Sequence, residues 1–276
     1  MVGDGFRVHN FFPSSDIIGM HGMSPFFLMD YNSKIILPPS ERPKGVGVHP
    51  HRGIETVTIA YHGRIAHHDS AGNSGVIGEG DVQWMTAGGG VLHKEYHEKE
   101  FSKNGGPFQM VQIWTNLPAK DKMTPAKYQA IGNETMGKFN LEKGKGVIEV
   151  IAGEYKGVKG PATTFSPMTL LNAKLKKGST ADFSFPGSNN TGFLIVEGDV
   201  RINGTSTVPE NSFVWFSHEG EEVTAEALKD SIVLILSGEP INEPLSAYGP
   251  FLMNTREEIQ EAFDDYYNGK FGYLED

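Results

Sequence analysis

Most segments of this chain read as strands: short runs of β-branched and aromatic residues, bounded by glycine, proline or asparagine. Ile54 to Tyr61 (IETVTIAY) stops at His62-Gly63. Asp81 to Thr86 (DVQWMT) is entered through Gly78-Glu79-Gly80 and left through Gly88-Gly89-Gly90. Phe108 to Thr115 (FQMVQIWT) alternates well enough to be a third strand. The polar stretch from Pro118 to about Asn133, with Pro125 inside it, predicts an irregular linker. A second group of strands is expected over 146–152, 168–175, 192–197, 212–216 and 231–236, and Asn203-Gly204 marks a tight hairpin turn. Only the C-terminus has helical spacing. Thr255-Arg256-Glu257-Glu258 forms a capping box, Ile259, Ala262, Phe263, Tyr266 and Tyr267 share one face, and Asn268-Gly269 ends the run, so a helix is expected over about 255–268.

The two groups of strands resemble each other. Gly63 and Gly198 each follow an apolar strand, and an offset of 131 lays Trp84 on Trp215. The pattern predicts an all-β fold of two jelly-roll-like barrels in tandem, over 1–130 and 131–276, with the helix in the second. The 34 glycines and 16 prolines fit short strands and tight turns.

Composition narrows the chemistry. With no cysteine there is no disulfide, thiolate nucleophile, cysteine-ligated zinc or iron–sulfur cluster. A net charge of -10 argues against direct nucleic-acid binding. No run approaches the length of a membrane span and no signal peptide is evident, so a cytoplasmic monomer away from membranes is expected. Nine acidic and two basic residues fall between Ser237 and Asp276, a solvated helix face or a surface for a protein partner.

Nine of the ten histidines lie in the first 97 residues. Two pairs stand out: His49-Pro50-His51 and His93-Lys94-Glu95. Residues two apart on a strand share a face at about 7 Å, so each pair is able to converge on one ion. Imidazole and carboxylate suit Fe(II), Mn(II), Ni(II), Cu(II) or Zn(II). Four such ligands leave a six-coordinate ion two open positions, the arrangement of a catalytic site. In the second copy His93 and Glu95 fall on Thr224 and Glu226, and His49 and His51 near Ser184 and Pro186, so one metal per chain is expected. His67 and His68 are expected to be ordinary loop or core histidines. Glu55, four past His51, is expected to orient a ligand histidine. Trp84, Met85, Phe108 and Met110 are candidates for an apolar wall beside the ion.

The strings His49 to Val57 (HPHRGIETV), Asp81 to Gly88 (DVQWMTAG), Leu92 to Glu95 (LHKE), Pro107 to Leu117 and Tyr248 to Thr255 resemble the pirin family of the cupin superfamily. The match is dense from Ser24 to Leu117, looser through the second half, and clear again near the end. It departs around Lys120 to Lys145. The resemblance implies a bicupin with metal only in the N-terminal barrel. It also implies iron(II) first, with manganese, nickel, copper, cobalt or zinc as alternatives, held by the equivalents of His49, His51, His93 and Glu95. Some members resemble quercetin dioxygenases, which open the central ring of a flavonol, so a flavonol-like substrate and dioxygen are expected partners, with Glu95 as the catalytic base. Others are non-enzymatic co-regulators that bind a transcription factor or metabolic enzyme, with the metal as a redox sensor.

Overall fold

The structure, a computed structural model, describes residues 1–14 and 17–275. The chain divides into two compact units, one of Met1–Gly19, Phe26–Asn133 and Ile241–Asp276, the other of Met20–Pro25 and Glu134–Pro240. The first unit contains β1 (His9–Phe12), β2 (Phe26–Leu37), β3 (Gly45–His51), β4 (Ile54–His62), β5 (Ile65–Asp69), β6 (Ser74–Ile77), β7 (Val82–Thr86), β8 (Val91–His97), α1 (Lys99–Asn104), β9 (Gly106–Asn116) and β10 (Lys127–Ile131). A six-stranded antiparallel sheet runs β1-β2-β9-β4-β7-β10, and a four-stranded one runs β3-β8-β5-β6. Thr58, Gln83 and Gln112 of the large sheet bond to Glu95 of the small one, so the two sheets face each other across the barrel interior.

The second unit repeats this plan. Its six-stranded sheet orders Gly137–Asn140, Gly146–Ala152, Met168–Leu175, Ser231–Gly238, Asn190–Glu197 and Ser212–Trp215; its four-stranded sheet orders Thr180–Ser184, Glu222–Ala227, Asp199–Ile202 and Ser206–Pro209. Ser212–Trp215 pairs with Asn190–Glu197 as β7 pairs with β4, which is the relation behind the Trp84/Trp215 offset. Its interior is apolar, built from residues such as Ile148, Leu171, Phe183, Phe193 and Ile235. Glu226, which the offset of 131 lays on Glu95, sits at an outward, half-buried position of its strand and is tied to Arg201 at 2.8 Å.

Two features differ from the sequence pattern. The expected linker contains β10, whose Lys127 to Ile131 pair with Thr86 to Val82 on the edge of the large sheet. Its alternation is half-buried and polar because only one side has a partner strand, so it carries no apolar run. The last segment, predicted as part of 131–276, lies in the first unit. There the hairpin Ser246–Tyr248/Phe251–Met253 and helix α2 (Arg256–Tyr267) form a strap that buries Phe251, Met253, Ile259, Ala262 and Phe271 against Leu92. The helix has the predicted capping box, Thr255 Oγ1 accepting from the Glu258 amide at 3.1 Å and Glu258 accepting from the Thr255 amide at 3.0 Å.

Candidate metal centre

Strand β8 reads buried at 91, 93, 95 and 97 and half-exposed between, so His93 and Glu95 face the interior while Lys94 faces out, as the spacing predicts. The β3–β8 register sets His49 opposite His93, with Val46 opposite Glu95. Three residues on β3 therefore span two on β8, a bulge that turns His49 onto the same side as His93. Ring centroids are 4.2 Å apart for His49–His93, 4.9 Å for His51–His93 and 5.0 Å for His49–His51. One nitrogen from each of the three lies within 4.8 Å of the others. Glu95 groups in the same way with His93 and His67. Both groups lie in the first unit, and they share His93.

The tautomers suit a metal. His49 Nδ1 is 2.8 Å from the Gly47 carbonyl, and His51 Nδ1 is 3.0 Å from the Pro250 carbonyl. A carbonyl only accepts, so each Nδ1 carries its hydrogen and each Nε2 presents a lone pair. Both nitrogens of His93 are buried without a hydrogen-bond partner. That would cost about 1–3 kcal/mol per unmet group, and an ion on one of them removes part of the penalty. The donor set of imidazole nitrogens and one carboxylate fits a first-row divalent ion.

Glu95 is held from three directions. Thr58 Oγ1 donates to Oε1 at 3.1 Å, Gln83 Nε2 donates to Oε1, and Gln112 Nε2 donates to Oε2 at 2.6 Å. A carboxylate offers about four lone-pair directions, so one remains, on Oε2. Tyr128 on β10 donates from its hydroxyl to Gln83 Oε1 at 3.3 Å. Burial, then the charges of Glu95 and Asp69, push that phenol up to about 12, which keeps it a donor. Trp114 packs edge-on against His51 at 4.8 Å. Met85 on β7 and Met110 on β9 share the inward face with Gln83 and Gln112, two residues along their strands. Trp84 is on the opposite face of β7, between Gln83 and Met85, and so is no wall of this site.

The strap of the first unit grips the turn that follows His51. Leu252 N donates to Arg52 O at 3.2 Å, and Arg52 Nη2 meets Asp265 of α2 at 2.7 Å. Lys270 and Arg52 together hold the Asp265 carboxyl below its usual range. Lys122 Nζ reaches Gly53 O at 3.0 Å, Asn116 Oδ1 at 2.7 Å and Leu252 O at 2.7 Å. Burial lowers this ammonium to about 8. The partner that orients a candidate ligand histidine is thus the Pro250 carbonyl of the strap. Glu55, expected in that role, is turned to the other face of β4, where it accepts from Thr86 at 2.7 Å and Thr115 at 3.1 Å. His51 ends β3 and Ile54 begins β4, so a turn breaks the strand period between them.

Burial and then the charge of His49 pull the His51 imidazole down from 6.5 to about 3, and burial, followed by His49, His51 and His67, holds His93 well below its usual value. Neither carries a proton for an ion to displace at pH 7. For the metal-free protein the sign follows from proton counting. Between about pH 3 and 6.5 the unfolded chain binds more protons at His51 than the folded one, so the contribution of this residue to stability rises with pH across that window. Each such histidine is expected to remove up to about 1.4 kcal/mol per pH unit as pH falls below 6.5. Urea midpoints of metal-free protein at pH 7 and pH 5 measure the loss, which should shrink in His51→Phe. A loss that is the same with and without His51 contradicts it.

Sequence patterning missed Thr58, Gln83, Gln112, Tyr128 and His67, all of which line or border this interior. The first three carried a signal, as polar residues at inward positions of otherwise apolar strands.

Residues 5–115 match the pirin family, and residues 170–272 match the pirin C-terminal cupin domain. A Pseudomonas aeruginosa protein named "Putative quercetin 2,3-dioxygenase" is 43% identical over 270 residues, covering 98% of this chain and 93% of the relative. A pirin-like protein of Solanum lycopersicum is 37% identical over 257 residues, covering 92% of this chain and 84% of the relative. The crystal structure of a quercetin 2,3-dioxygenase from Acinetobacter baumannii superposes with a TM-score of 0.93 at 48% identity, covering 100% of this chain and 95% of that one. The family assignment thus rests on both barrels, and the chain belongs to the pirin family.

Proposed function

We propose that this protein is a metal-dependent dioxygenase that opens the ring of quercetin or a related flavonol, with one iron(II)-type ion held by His49, His51, His93 and Glu95. The observation that carries it is the His49/His51/His93 group, His49 half-buried and the other two buried, with His93 unpartnered and Glu95 two residues beyond it on the same inward face. The relatives named for quercetin 2,3-dioxygenation support the substrate class. When bound, the ion supplies Lewis acidity and open coordination positions to a flavonol oxygen and to dioxygen.

The side chains divide the remaining work. His49 and His51 offer Nε2 atoms fixed by backbone carbonyls. Gln83, Gln112 and Thr58 fix the Glu95 carboxylate so that a single acceptor direction is left. That direction serves the ion or a proton, one at a time. Glu95 therefore takes the flavonol hydroxyl proton at Oε2 when it is not acting as a ligand. Met85, Met110 and Trp114 give the interior apolar surface against which an aromatic ring packs.

Dioxygen uptake by anaerobically iron-loaded protein on addition of quercetin tests the activity. Uptake matched by ring-opened product supports it; none from protein carrying one iron per chain refutes it. Glu95→Gln is expected to keep part of the metal and to lose at least about 100-fold in turnover, the usual scale of a lost general base. Full turnover in that variant removes Glu95 from the proton-accepting role.

A further inference from the structure

We propose that His67, held by Asp69, is a positioning residue of the metal centre: it accepts a hydrogen bond from the ring nitrogen of His93 that is turned away from the ion. The inference rests on His93 being a ligand, as proposed above, and concerns what holds that ligand.

The β5–β8 register sets His67 opposite Glu95 and Asp69 opposite His93. His67 is thus on the inward face, one diagonal from His93. It is as buried as His93, each with 0% of its surface exposed. Asp69 fixes its tautomer. The carboxylate accepts from the Ala71 amide at 3.0 Å, from the Asn73 amide at 2.9 Å and from Asn73 Nδ2 at 3.1 and 3.0 Å, and its Oδ2 lies 3.2 Å from His67 Nε2. Held ionised by those donors, Asp69 only accepts, so the hydrogen sits on Nε2 and Nδ1 is a lone pair.

That lone pair has no hydrogen-bond partner, and neither nitrogen of His93 has one. The two rings lie 5.4 Å apart between centroids, tilted by 51°. A direct imidazole N–H···N contact of about 3 Å puts centroids at about 5 Å, so a small rotation closes the bond. Two buried groups, one a donor and one an acceptor, then satisfy each other. His67 groups with His93 and Glu95, and its Nε2 is taken up by Asp69, so only Nδ1 is left to meet His93. Tyr128 stacks on His67 at 4.9 Å and 21°, fixing the plane of the ring. A histidine ligand whose second nitrogen is held in this way keeps its orientation and gains basicity.

The test uses full-length protein and needs no substrate. Co(II) affinity is measured by visible absorption for wild type, His67→Phe, Asp69→Asn and His67→Asn, the last keeping an acceptor oxygen near the Nδ1 position. The His93 ring nitrogens are followed by 15N NMR in Zn(II)-loaded protein. Expected are a 10- to 100-fold weaker Co(II) affinity in His67→Phe, a smaller loss in Asp69→Asn, and recovery of most of it in His67→Asn. In wild type a 15N–15N coupling across the His93–His67 hydrogen bond is expected, a readout that requires no variant to fold. Absence of that coupling, or wild-type Co(II) affinity in folded His67→Phe, overturns the proposal. If the wild-type His93 nitrogens do not respond to Zn(II) at all, the metal-centre assignment fails and this inference falls with it.

Discussion

His93→Ala is expected to weaken metal binding on the order of 10²–10³-fold while leaving the metal-free fold nearly as stable as before. Among the described residues His93 is the donor common to both candidate groups, so neither group stays complete without it. Well-formed four-ligand zinc sites are worth roughly 10–16 kcal/mol, so one ligand carries about a quarter of that, on the order of 10²–10³-fold in affinity. The apoprotein has an opposing term. Removing the ring gives up packing worth about 2–3 kcal/mol, but it also removes two buried nitrogens that have no partner, each costing about 1–3 kcal/mol. The two unpartnered nitrogens thus offset most or all of the packing loss. Thermal melts with and without added ion should show wild type gaining stability and His93→Ala gaining far less. An equal gain in the two would place the ion elsewhere.

Gly53→Ala should cost more in the fold itself. Gly53 has φ +79°, and an added Cβ would sit 2.0 Å from Leu252 O and 2.7 Å from Met253 Sδ. The carbonyl has no freedom to move, since Lys122 Nζ holds it at 2.7 Å and the Leu252 amide is bonded to Arg52 O. Left-handed backbone costs a non-glycine residue about 1–3 kcal/mol, and displacing the strap adds to it, for a loss of about 3 kcal/mol or more. Gly72, with φ +89° and nothing within 4 Å of an added Cβ, is the control, and Gly72→Ala should lose about 1 kcal/mol. Because Pro250 of the displaced strap orients His51, Gly53→Ala should also weaken metal affinity about tenfold. Urea denaturation and metal titration read the two effects. Equal losses from the two glycine variants would remove the strap from this role.

How much was legible depended on whether a residue's partner is local. The strands at 146–152 and 168–175 and the capped C-terminal helix follow from period and punctuation, and they form where the pattern places them. The inward facing of His93 and Glu95 follows from spacing alone. His67 was set aside because adjacent His67 and His68 carry no period, and only the pairing of β5 with β8 shows which one faces in. Strand β10 lacks an apolar run because it lies at a sheet edge, yet it brings Tyr128 to the site. Glu55 looked like a neighbour of His51 because the turn at Arg52-Gly53 is invisible to a period-two count. The packing of the strap on the first unit has no trace in the sequence because the Pro250 carbonyl and the Arg52–Asp265 pair join residues about two hundred positions apart. No local signal reports a contact of that span.

Anomalous diffraction from crystals of iron-loaded protein, collected across the iron edge, tests the central assignment most directly. The account predicts one peak per chain, in the first barrel, about 2.0–2.2 Å from a nitrogen of each of His49, His51 and His93 and from Oε2 of Glu95, distances usual for first-row ions. A peak bound by His67, or lying away from His49 and His51, or one in the second barrel, would contradict it.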